Sequence, residues 1–140
     1  KEPVDCYFLD YMQLLSGTLK ESDYEMLRRA SKLFQSFART KNIPIIALSQ
    51  ISNQAAKDKS DLIGFKGSGD IANSSDLAIE LNLVDKKEER DLKKAQGLML
   101  NVDCVVKKNR HGITGTIEMS FDPKTGTFEE GREISLKKII

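Results

Sequence analysis

Lys107, Lys108, Arg110 and His111 fall within five positions of the segment "VVKKNRHGITGTIEMSF", Val105 to Phe121. Apolar, β-prone runs flank the charge, which is the pattern of a hairpin with a cationic tip. In continued strand geometry Lys108 and Arg110 face the same side, so both heads reach one target. Arginine offers a planar fork suited to phosphate oxygens, and lysine a point charge. The same charges also protect an edge strand from aggregation, so the pattern alone leaves both readings open. Two other residues stand at the ends of apolar runs: Asp10 after "VDCYFL" and Gln50 after "IPIIALS". A strand-end aspartate can hold Mg²⁺ through its water shell, and a neutral amide can orient a water or sense a phosphate. Each also reads as an ordinary turn residue.

The elements around them set where these groups stand. Val4 to Leu15 opens on an apolar run, expected as a strand buried on both faces. Ser22 and Glu25 form an S-x-x-E capping box, and Leu27, Ala30, Phe34, Phe37 and Ala38 recur at helical spacing up to Lys41. Asn42 stops the helix, and Ile43 to Gln50 reads as a second buried strand. Strand, helix, strand makes a βαβ unit with a right-handed crossover, so the fold class is α/β. Asp10 and Gln50 then share the carboxyl edge of a parallel sheet, where ligands bind in open α/β folds.

Residues 51–70 are polar and lysine-dotted, a long loop of the kind that usually has a task. A short helix at Ile71 to Ser74 leads into a strand at Asp76 to Leu83. The mixed-charge run Val84 to Gly97 reads as a solvated excursion or an exposed helical turn. Two strands follow, joined through "NRHGI", and "DPKTGTF" turns into a short edge strand. The tail from Gly131 to Ile140 carries no core pattern and reads as flexible. The organisation expected is one domain over 1–130 and a tail over 131–140.

The composition is that of a globular chain, 39% hydrophobic and 31% charged in 140 residues. A net charge of +1 means that any nucleic-acid contact must come from a local patch. Cys6 and Cys104 sit inside apolar runs beside a single histidine, which argues for small core residues and against a zinc site. Low cysteine content points to a reducing, cytoplasmic setting. No apolar run approaches the ~20 residues that span a bilayer.

"YFLDYMQLLSG", "NIPIIALSQIS", "KGSGDIANSSDLAIEL" and "KKNRHGITGTIEMSF" occur in this order. Together they resemble the C-terminal half of the ATPase domain of DnaB-type replicative DNA helicases, which are RecA-like hexameric motors. The resemblance covers Val4 to Phe128. It implies a mainly parallel sheet flanked by helices, with a C-terminal β-hairpin. It implies that Asp10 is the Walker B aspartate holding the Mg²⁺ of ATP and that Gln50 is the sensor glutamine. Lys108 and Arg110 would be the lysine and arginine finger that reach the nucleotide of the adjacent subunit. The loop from Ser52 to Gly69 would track single-stranded DNA in the central channel, with Lys66, Gly67 and Gly69 as contacts. The implied partners are single-stranded DNA, further copies in a hexameric ring, and a primase or loader, with no membrane.

The sequence departs from the family pattern in places. Lys66 and Gly67 stand where Arg and Glu are usual, "ANSSD" replaces E-Q-D-A-D, and His111 replaces Asn. No G-x-x-x-x-G-K-[ST] segment occurs among the 140 residues, and "GFKGSGD" has the wrong spacing and place. The family's catalytic glutamate, which lies between P-loop and Walker B, has no position either. With Lys1 in place of Met, the expectation is a fragment of a longer motor with an incomplete core. That fragment alone would not hydrolyse ATP, and its sheet would lack strands, leaving apolar surface exposed or covered by self-association. Two other readings remain: a RecA-like recombinase, and a non-catalytic module that binds single strands or caps a helicase ring.

Overall fold

The computed structural model describes residues 3–15, 22–50 and 69–131. The chain divides into two compact units, residues 1–76 and 77–140.

In the first unit β1 (Tyr7–Leu9) pairs in parallel with β2 (Ile45–Ala47), with Tyr7 opposite Ile45 and Leu9 opposite Ala47. The connection is α1 (Asp23–Lys41), whose start and stop are chemically specified. The Ser22 hydroxyl accepts from the Glu25 N–H, and the Glu25 carboxylate accepts from the Ser22 N–H at 3.1 Å, completing the capping box. Asn42 ends the helix in the left-handed region at φ 54°, a conformation asparagine tolerates better than most residues.

Met26 and Ala30 on α1 are buried, and Phe37 meets Tyr7 edge to face with ring centroids 5.6 Å apart. Burial of β1 on both faces is not what the structure shows. Phe8 and its register partner Ile46 are 77% and 47% exposed, because α1 covers only the Tyr7 side of a two-stranded sheet. A short α2 (Gly69–Ser74) packs on α1 and buries Ala72.

The second unit is an antiparallel sheet in the order β3–β4–β5–β6, built from Leu77–Leu83, Leu100–Asn109, Gly115–Asp122 and Thr127–Glu130. The expected hairpin is therefore the centre of a four-stranded sheet. Leu100 and Val102 are buried, whereas Leu77, Ile79, Leu81 and Leu83 on one side of β3 are each about half exposed. Apolar surface is left open, as expected for an incomplete core.

The charged run between β3 and β4 takes the second of its two expected forms, a mostly exposed helix, and departs from that expectation at Lys93. It folds into α3 (Lys87–Gln96), and Lys93 is fully buried. Asp85 Oδ1 accepts from Lys93 Nζ and from Asn101 Nδ2, each at 3.0 Å, and Oδ2 accepts from the Asn101 backbone N–H at 2.8 Å. Burying a lysine is tolerated because its charge is paired and the carboxylate is saturated with donors. Gly97, at φ 69°, closes α3, with Leu98 N–H donating to the Lys93 carbonyl and Gly97 N–H to the Lys94 carbonyl.

Candidate functional site

Asp10 directly follows β1 and Gln50 lies three residues beyond β2. Parallel pairing therefore sets both at one edge of the sheet, and both are exposed. Backbone pairing persists past the strands: Leu48 N–H donates to the Leu9 carbonyl at 2.9 Å and Met12 N–H to the Leu48 carbonyl at 2.8 Å. Between them the Asp10–Tyr11 peptide is cis. Met12 is buried beneath the turn of 3₁₀ helix at Met12–Leu14, which anchors the segment after Asp10.

Gln13, to which the sequence alone attaches no role, completes the edge. Its Nε2 donates to Ser49 Oγ at 2.9 Å and to the Gln50 carbonyl at 3.2 Å. Its Oε1 accepts from the Gln50 N–H at 3.2 Å. The sequence signal is only an amide three residues after Asp10.

Lys108 and Arg110 both belong to the β4–β5 hairpin, in the other compact unit from Asp10 and Gln50. Strand alternation does not carry across the pair, because β4 ends at Asn109 and Arg110 stands exposed in the turn. A bulge lies just before the pair: Ala78 pairs with Lys108 and Ile79 with Val106, leaving Lys107 as the extra residue. Lys107 meets Glu80 at 3.3 Å, so its charge is paired within the sheet.

The tip itself is shaped by Asn109. Its Nδ2 donates to the Ile113 carbonyl at 3.2 Å and its Oδ1 accepts from the His111 N–H at 3.2 Å. A Cβ on Gly112 would come within 2.7 Å of Asn109 Nδ2, so that position holds a residue without one. Ile113 at the tip is 89% exposed.

Of the three expected DNA contacts, Lys66 and Gly67 lie outside the described residues, and Gly69 opens α2. Among the described residues no group of three or more His, Cys, Asp or Glu side chains could hold a metal ion. Cys6 and Cys104 are free, half-buried thiols.

The family model for the DnaB-like helicase C terminal domain matches residues 1–130. A probable plasmid replicative DNA helicase of Chlamydia muridarum is 30% identical over 135 residues, covering 94% of this chain and 27% of that protein. The replicative DNA helicase DnaB of Helicobacter pylori strain J99 is 29% identical over 169 residues, covering 90% of this chain and 35% of its own length. This chain thus spans about a third or less of these relatives. Among solved structures, an ATPase domain superposes with a TM-score of 0.69 at 25% identity, covering 89% of this chain and 44% of that one. A DnaB-like replicative helicase studied with primase gives 0.69 at 25% identity, covering 86% and 29%. The fold is accordingly the RecA-like α/β fold of helicase ATPase domains, and the chain belongs to the DnaB-like helicase C-terminal domain family.

Proposed function

We propose that this chain is the C-terminal part of the motor of an ATP-dependent replicative DNA helicase, which unwinds duplex DNA by moving on a single strand. The observation that supports this most is the shared sheet edge of Asp10 and Gln50 in a chain of the DnaB-like family. A single exposed carboxylate suits Mg²⁺, which keeps most of its water and takes few protein ligands. Bound with ATP, that ion supplies neutralising charge on the phosphate oxygens.

In this reading Asp10 accepts hydrogen bonds from the ion's water shell. The Gln50 amide donates to a phosphate oxygen and accepts from water. Lys108 and Arg110 act on the site of an adjacent copy, where they balance charge on the transferring phosphoryl group. The phosphate cradle and the catalytic glutamate would come from the remainder of the protein, so the 140 residues alone would not hydrolyse ATP. Residues 1–130 form the motor portion and 131–140 an appended tail. The assembly is a hexameric, cytoplasmic ring that engages single-stranded DNA through Lys66, Gly67 and Gly69 and receives a primase or loader. No described helix is long and apolar enough to cross a membrane.

The test is strand displacement on a forked duplex by the complete protein. ATP-dependent unwinding that is lost in Asp10→Ala supports the reading. Single-strand binding indifferent to ATP, with no unwinding, would replace it with the accessory-module reading.

A further inference from the structure

We infer that Gln13 is the positioning residue of this edge: its side-chain amide pairs with the Gln50 backbone as a third strand residue would, and so sets Gln50 relative to Asp10. The inference rests on the proposed site and deepens it.

The geometry is cyclic. One amide accepts from the Gln50 N–H and donates to the Gln50 carbonyl, both at 3.2 Å, and its second N–H reaches Ser49 Oγ at 2.9 Å. The reversed amide would set Oε1 against the Gln50 carbonyl and Nε2 against the Gln50 N–H, so the orientation is determined by its partners. Among the described residues the last backbone bond between the two segments is Met12 N–H to Leu48, which leaves Ser49 and Gln50 beyond the ladder. Gln13 takes up the pairing where the backbone ladder stops. Gln13 thus bonds both the N–H and the carbonyl of Gln50.

Gln13 is also exposed, so water competes for every one of these bonds and their contribution to global stability is small. Their consequence is geometric. Gln13 lies three residues after Asp10, on a segment held by buried Met12, so movement of that segment is transmitted to Gln50. Misplacing a catalytic group by about 1 Å costs on the order of 10²-fold in rate.

The experiment compares Gln13→Met, Gln50→Ala and the double variant in the complete protein, reading kcat and KM for ATP with single-stranded DNA present. Methionine keeps the length of the side chain and removes the amide. The expected result is a kcat lowered by roughly 10²-fold with KM changed by no more than about twofold. The double variant should be no slower than Gln50→Ala alone, because Gln13 acts through Gln50. Ser49→Ala, which leaves the cyclic pair intact, should turn over close to the unaltered protein. A Gln13→Met enzyme at full rate overturns the inference, as does a double variant whose losses multiply. Full hydrolysis by Gln50→Ala would instead overturn the reading of the site, and this inference with it.

Discussion

Lys93 Nζ lies 3.0 Å from Asp85 Oδ1, with the two side chains 1% and 3% exposed. Glu89, one turn earlier on α3, stands 3.7 Å from the same ammonium. The pair pins α3 to the start of β4, since Asp85 also accepts from the backbone and side chain of Asn101. Removing one partner of a buried ion pair strands the other, at a cost of about 3–5 kcal/mol. Lys93→Met should fall at the lower end of that range, because Asp85 keeps its Asn101 donors. A urea titration of the complete protein, with amide exchange followed across α3, checks this. Unchanged protection in α3 would remove the pair from the account of the fold.

A second expectation concerns the hairpin tip. Asn109 ties the turn across Arg110, to the His111 N–H and the Ile113 carbonyl beyond it. Two such bonds at about 1 kcal/mol each shift the population of an ordered tip by up to about 30-fold. Asn109→Ala should therefore slow ATP turnover by up to that factor while nucleotide affinity stays constant. Gly112→Ala crowds Asn109 Nδ2, so it should impair the same step. In an Asn109→Ala background it should be almost neutral. Independent, multiplying effects in the pair would show that the two residues do not act on one another.

What could be read beforehand follows the range of each interaction. The limits of α1 were legible because Ser22, Glu25 and Asn42 are local signals, each acting within one helical turn. The α/β class followed from apolar runs alternating with one amphipathic stretch. Burial of Lys93 was not legible: its charge reads as solvated until Asp85, eight residues earlier, is known to meet it, and Asn101, eight residues later, to meet Asp85. The bulge at Lys107 depends on the β3 register, which no window of β4 contains. At the site, the common edge of Asp10 and Gln50 followed from parallel pairing. The part played by Gln13 did not, because its partners lie 36 and 37 residues away.

The β5–β6 turn carries a pH dependence of known sign. Asp122 accepts from the Lys124 N–H at 2.8 Å and from Thr125 Oγ1 at 3.0 Å. The Lys124 backbone bond first, then the Thr125 hydroxyl, favour the carboxylate and hold its pKa below the ordinary 3.8. A group depressed in the folded state stabilises it fully above its unfolded pKa and ceases to do so as pH falls through the folded value. The stability difference between the unaltered protein and Asp122→Asn should thus be constant above pH 3.8 and shrink below it. Carbon-13 titration of the Asp122 carboxyl gives a direct reading, and a midpoint above 3.8 would contradict these hydrogen bonds.

The proposed action of Arg110 on a neighbouring copy has a consequence that no single variant reveals. Arg110→Ala should bind nucleotide and lose on the order of 10³-fold or more in turnover, as removal of an arginine finger does. Asp10→Ala should fail for a different reason, at the cation. The two defects would lie on opposite sides of one interface. A ring mixed from both variants therefore contains some junctions where an intact Asp10 faces an intact Arg110. With equal amounts and free exchange, about a quarter of junctions in a head-to-tail ring are of this kind. ATP hydrolysis should reappear on mixing, peak near equal proportions and vanish toward either pure variant. If Arg110 acted within its own subunit, every chain in the mixture would carry a broken site, and no ratio would restore turnover.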